Sequence, residues 1–249
     1  ISGYDEKDST SLEEPVPKYS KSIGKSIKGL KIGVLKNTFG EGVDEEVCEK
    51  VKDGIKQLEE KGAKTVEISL PLTEKVGVQC YYLLAMAEAS TNLAKYSGMR
   101  YGASDKLDGH FNEYFTDVRS KNLNTESKRR IMLGTFARMA GYRDAYYLQS
   151  TKVRTLIIEE YKKAFAKCDV LVSPTMPYVA PKFSEISKLS PLQHFMADRM
   201  AVGPNLGGFP HLTVPVGSSK DGMPIGLLLT GDHLDEETLI QAGSSLVNE

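Results

Sequence analysis

Hydrophobic and polar positions along this chain change period several times, and each change marks an element. Leu30-Lys-Ile-Gly-Val-Leu35 is short, apolar and rich in β-branched residues, and the Gly40-Glu-Gly-Val43 turn follows it, which predicts a first strand. From Asp44 onward, Val47, Val51, Ile55 and Leu58 fall on one helical face, with Asp44 at the N-cap and Gly62 just past the end. Val66, Ile68 and Leu70 then alternate with Thr65, Glu67 and Ser69, which is the period of a second strand. Strand, helix and strand in this order form a βαβ unit, whose strands are expected to be parallel and whose crossover is expected to be right-handed.

Residues 72 to 168 carry almost no strand signal. They read as helices near 76 to 97 and 110 to 120 and a helical stretch from 126 to 167. Gly134 and Gly141 weaken that stretch, because glycine in a helix costs about 1 kcal/mol relative to alanine, and a break is expected near Gly141. Three further apolar segments, Val170–Ser173, Leu212–Val216 and Ile225–Leu229, are bounded by Gly or Pro and fit buried strands. Between the first two lies a Pro-containing loop from Pro174 to Pro191, then a helix from 191 to about 202. Asp235 to Val247 is an amphipathic helix with an acidic first turn that suits the helix dipole. Residues 1 to 29, with Pro15 and Pro17, read as an extended loop. The pattern is α/β, one domain with a mainly helical insertion near 72–168.

Composition narrows the classes. The chain has 249 residues, 40% hydrophobic and 26% charged, which is enough for a sizeable core and too apolar for disorder. Its 32 Lys and Arg face 33 Asp and Glu, so no excess of positive charge is present to neutralise a nucleic acid backbone. No apolar run approaches the roughly 18 residues of a spanning helix, and no membrane segment is expected. Cys48, Cys80 and Cys168 are odd in number and widely spaced, which reads as reduced thiols in a cytoplasmic protein. His110, His194, His211 and His233 form no HxxxH or HExxH pattern, so no metal site is indicated. The first ten residues have neither an initiator Met nor a signal pattern and read as the middle of a longer chain.

A search for a nucleophile is negative: there is no GxSxG elbow, no SxxK, no P-loop and no dinucleotide fingerprint. Ser218-Ser219 and Ser244-Ser245 lie in a turn and in the last helix and read as structural. Spacing by itself leads only to an α/β domain.

Four stretches say more. Ile1-Ser-Gly-Tyr-Asp-Glu-Lys-Asp-Ser-Thr10, Tyr81-Tyr-Leu-Leu-Ala-Met-Ala-Glu-Ala-Ser90, Lys128-Arg-Arg-Ile-Met-Leu-Gly-Thr135 and Asn205-Leu-Gly-Gly-Phe-Pro210 resemble, in order, segments of the amidase-signature family. The second and third, with Gly141-Tyr-Arg-Asp-Ala-Tyr-Tyr147, are more similar to the glutamyl-tRNA(Gln) amidotransferase A subunits within it. Leu228, His211 and Gly207 depart from the common pattern, which bears on the subfamily and not on the fold.

The resemblance implies the C-terminal portion of a single amidase-signature α/β/α domain with a mixed sheet. It also implies that the family's lysine and two serines, which activate a weak hydroxyl nucleophile, precede this chain, so no catalytic residue lies within it. What it places here is one wall of a glutamine pocket. Arg130 would hold the α-carboxylate, for which the planar guanidinium fork is suited, Asp198 the α-ammonium, and Tyr81 would donate a hydrogen bond. A shift of one residue would exchange Arg129 for Arg130 or Tyr82 for Tyr81.

Each residue also has an ordinary reading. Arg130 lies in a Lys128-Arg129-Arg130 run that suits a solvated face, Asp198 is four residues from His194 and could pair with it, and the tyrosines are of a type usually half-buried. By the resemblance, the partners are glutamine, further amidotransferase subunits and, mainly through one of those subunits, a misacylated tRNA. ATP and magnesium would be used by that partner, with no cofactor in this chain. A small-amide amidase of the same family and a non-catalytic docking module are the other readings.

Overall fold

Five strands form one mixed sheet because each apolar run is too short for a helix and is bounded by residues that turn the chain. In the computed structural model, which describes residues 2–106 and 108–247, β1 (Lys31–Leu35) leads through α1 (Glu45–Glu60) to β2 (Lys64–Ile68). These two strands pair in parallel, Lys31 opposite Lys64 and Leu35 opposite Ile68. On the far side of the helical region, β3 (Val170–Pro174) pairs in parallel with the other edge of β1. Two antiparallel strands, β4 (His211–Ser218) and β5 (Pro224–Gly231), complete the order β2-β1-β3-β5-β4. The tight loop between them is held by Ser219, whose Oγ accepts from the Met223 N–H at 3.1 Å. That serine is structural, as read from the sequence.

The helical region begins with α2 (Pro71–Asn92), followed by α3 (Phe111–Asn122), α4 (Thr125–Arg138) and α5 (Gln149–Phe165). The break near Gly141 is present: Gly141 has φ +88°, and a single π turn over Asp144–Leu148 precedes α5. His110 caps α3 by accepting from the Asn112 N–H at 3.4 Å, and Asn124 caps α4 by accepting from Ser127 N–H at 2.8 Å. After β3 come a single turn α6 (Phe183–Ile186), α7 (Pro191–Ala197) and α8 (Val202–Gly207), and the chain closes with α9 (Glu236–Leu246). The single helix expected over 191 to 202 is therefore two helices separated by a 3-10 turn, Asp198–Met200.

The chain divides into two compact units. One comprises Ile1–Pro71 with Glu160–Glu249 and holds the sheet; the other, Leu72–Glu159, is helical. In the sheet unit, Val51 and Leu58 of α1 and Leu239 and Ala242 of α9 pack with Val170, Val172, Leu227 and Leu229 in one apolar core. Burying a side chain of that size stabilises by about 1.5–3 kcal/mol. No helix of the described residues is long and apolar enough to cross a membrane. The three cysteines are free thiols, Cys80 and Cys168 buried.

Candidate functional site

In the helical unit, α4 lies against α2 along a seam that repeats every four residues on both helices. The Arg130 guanidinium sits over the Tyr82 ring at 5.8 Å from its centroid. One turn on, a Cβ on Gly134 would stand only 1.9 Å from the Met86 carbonyl oxygen, and one turn further Arg138 Nη2 donates to Ser90 Oγ at 3.0 Å. The three pairs advance in the same direction on both helices. A seam closed by glycine brings the two backbones together and so sets how far Arg130 stands from the tyrosines. Gly134, a weakness by helix propensity, is required here by packing.

Arg130 is half-buried, and its Nε donates to Glu126 Oε1 at 2.8 Å; Arg129 also pairs with Glu126. The hydrogen bond from Arg130 is the largest influence holding the Glu126 carboxyl below its usual range. With Nε engaged, no protein acceptor meets the Arg130 terminal nitrogens among the described residues, and these form the edge that could take a carboxylate end-on. Tyr82 is 7% exposed and Tyr81 is half-buried; their rings meet edge to face at 5.2 Å and 88°. The guanidinium therefore touches Tyr82, and Tyr81 joins the corner through Tyr82's ring.

Asp198 belongs to the sheet unit. Ser190 begins the approach to it with a reciprocal cap, accepting from Gln193 N–H while Gln193 Oε1 accepts from Ser190 N–H at 2.8 Å, and Pro191 occupies the first helical position. The helix stops at Ala197 and tightens into the 3-10 turn, closed by Ala201 N–H to the Asp198 carbonyl at 2.9 Å. Asp198 is half-buried in this turn. Near it stands Tyr178, whose phenol is raised in pKa first by burial and then by the negative charges of Asp198 and Asp44.

Asp44 stands at the N-cap of α1, as the sequence predicts. Its backbone has the cap conformation, φ −60° and ψ 137°, but its carboxylate accepts no bond from the first turn of α1. Its N–H donates to the Pro177 carbonyl at 2.8 Å, beside Tyr178. Next to these residues, Met176, Tyr178 and Val179 line an apolar cleft of about 450 Å³ with Val47, Thr213 and Ile225. Tyr178 and Arg199 carry no signal in the sequence, since one lies in a loop that reads only as Pro-containing and the other is a single charge in a helical stretch.

Arg130 with its tyrosines belongs to one compact unit, and Asp198 with Tyr178 to the other. A guanidinium edge suits a carboxylate, and a half-buried acid beside a phenol suits an ammonium. Among the described residues no group of three or more His, Cys, Asp or Glu could hold a metal ion.

Comparison with known proteins adds to this. A family model described as Amidase matches residues 1–240. The chain is similar to the A subunit of the glutamyl-tRNA(Gln) amidotransferase of Microcystis aeruginosa (strain NIES-843 / IAM M-2473), 48% identical over 96% of this chain and 49% of that protein. It is also similar to the corresponding A subunit of Koribacter versatilis (strain Ellin345), 46% identical over 99% of this chain and 51% of that protein. Among solved structures, the glutamyl-tRNA(Gln) amidotransferase A subunit from Thermotoga maritima superimposes with a TM-score of 0.73 at 30% identity, over 97% of this chain and 47% of that one. A bacterial aryl acylamidase reaches the same TM-score of 0.73 at 18% identity, over 99% of this chain and 48% of that one, which shows a shared fold alone. The chain spans about half the length of the curated relatives it matches.

Proposed function

The chain belongs to the amidase family, and from that premise we propose that it is the C-terminal half of the glutaminase subunit of a tRNA-dependent amidotransferase. The observation that carries this reading is the contrast in likeness. Identity is 44–48% to the curated amidotransferase A subunits along nearly the whole chain and 30% to the solved one from Thermotoga maritima, whereas solved structures of other hydrolases share the fold at 17–21%. A shared fold permits many substrates, so the argument for this substrate rests on the residues.

In this reading Arg130 clasps the α-carboxylate of glutamine, Asp198 its α-ammonium, and Tyr81, with Tyr82 beside it, orients the ligand. The nucleophilic serine and the lysine that activates it belong to the other half of the enzyme, so this chain by itself releases no ammonia. The ammonia made by the joined halves passes to a partner that activates Glu-tRNA(Gln) or Asp-tRNA(Asn) with ATP and magnesium, in the cytoplasm.

Glutaminase kinetics of the full-length protein carrying this chain test the reading. Losing a charged hydrogen bond costs about 1.5–3 kcal/mol, so Arg130→Ala and Asp198→Asn should each raise the KM for glutamine about 10- to 100-fold. An enzyme that cleaves a simple amide without an amino acid end, and whose activity on it is untouched by both changes, would instead be a general amidase.

A further inference from the structure

Asp198 stands in a 3-10 turn closed by the Ala201 N–H to the Asp198 carbonyl, and a tie from this turn to a distant loop would fix its place in the fold. Arg199, the next residue, supplies one. Its Nη2 donates to the Glu41 carbonyl at 3.1 Å, and among the described residues it forms no ion pair, so its charge is directed to a neutral carbonyl rather than to an acid. The guanidinium lies against Gly42: a Cβ built there would be 3.1 Å from Nη1, 3.7 Å from Nη2 and 3.8 Å from Cζ. Gly42 also has φ +74°, a left-handed conformation open to glycine at little cost.

The same loop makes a second tie. Two residues after Gly42, the Asp44 N–H donates to the Pro177 carbonyl at 2.8 Å, which holds the backbone next to Tyr178. The loop from Glu41 to Asp44 therefore grips both the Asp198 segment and the Tyr178 segment, and sets one against the other.

We infer that Arg199 is a positioning residue for ammonium recognition, holding Asp198 in register through the Glu41 carbonyl and the bare face of Gly42. This rests on the reading of Asp198 as the ammonium partner of glutamine. A lysine at 199 would restore one donor but not the flat contact with Gly42.

The test uses the full-length enzyme and two amides, glutamine and glutaramate, which is glutamine without its α-amino group. Arg199→Ala should raise the KM for glutamine about tenfold, the scale of one misplaced charged contact, with kcat within about twofold and the KM for glutaramate unchanged. Arg199→Lys should recover part of the loss. Gly42→Ala should reproduce the arginine defect with Arg199 itself unchanged, because the added Cβ would press on the guanidinium. The inference is overturned if Arg199→Ala and Gly42→Ala shift both amides alike, or neither, while Asp198→Asn still separates them. If Asp198→Asn fails to separate the two amides, the ammonium role of Asp198 is wrong and the inference falls with it.

Discussion

The sheet unit and the helical unit are built on opposite plans. In the first, Ile32, Val51, Leu58, Val170, Leu171, Val172, Leu227 and Leu229 are fully or almost fully buried, and α1 and α9 pack with the strands. In the second, Ala87 and Ile157 are the side chains with no exposure among the described residues, while Met132, Leu133, Phe136, Met139, Tyr142 and Tyr146 stand on the surface. Phe136, Tyr142 and Tyr146 gather there with ring centroids 4.5 to 6.2 Å apart. The helical unit also carries more Lys and Arg than Asp and Glu, and the sheet unit the reverse, so a near-neutral total hides two regions of opposite sign. The lesson is that the sheet unit is held by one deeply buried core, and the helical unit by a smaller set of buried side chains, among them Leu84, Met86, Val118 and Ile157, together with close backbone contacts and caps. Arg130 stands on the second kind of support, and Asp198 in a turn at the margin of the first.

The largest expected effect separates the two plans directly. Leu229→Ala should destabilise by about 3 kcal/mol through lost burial and the cavity it leaves, whereas Phe136→Ala, at a side chain 41% exposed, should cost under about 1 kcal/mol. Urea denaturation of the two variants decides, and a reversed order would break the comparison. Next, Gly134→Ala should cost about 2 kcal/mol or more, because the Cβ would meet the Met86 carbonyl oxygen at 1.9 Å and α4 must retreat from α2. Amide exchange should speed up in those two helices first; uniform acceleration across the sheet would contradict the seam as their main support.

The smallest effect concerns pH. Burial pushes the Cys168 thiol from 9.0 up to about 11. The unfolded thiol therefore loses its proton first as pH rises, so the stability held below about pH 9 declines through about pH 11. Burial also raises Tyr161 in the sheet unit and Cys80 in the helical unit. Melting temperature against pH should fall over this window, and Cys168→Ala should flatten part of the slope; an unchanged slope would mean that the thiol is open to water.

The strands were legible because an apolar run bounded by Gly and Pro has few other ways to exclude water, and β1, β3 and β5 lie where such runs occur. The helix over 191 to 202 was read as continuous because nothing local at Asp198 forbids it; the 3-10 turn becomes understandable only once the Arg199 tie to Glu41 is seen. Asp44 is at the N-cap, as its type and place in the sequence predict, but the bond from its N–H to Pro177 joins positions far apart in the chain and has no local signal. Arg130, Asp198 and Tyr81 came from resemblance, since a charge run, a lone acid and a tyrosine pair carry no chemistry by spacing.

What the chain determined by itself is the alternation of strands and helices, the break at Gly141 and the lack of a local nucleophile motif, because periodicity, glycine freedom and motif spacing act over a few residues. Tertiary structure alone decided that Gly134 is a point of contact, that Tyr82 meets the guanidinium, and that one loop grips both the Asp198 and Tyr178 segments. Those facts depend on atoms brought from distant positions to separations between 2.8 and 5.8 Å, and packing sets such distances, not local preference.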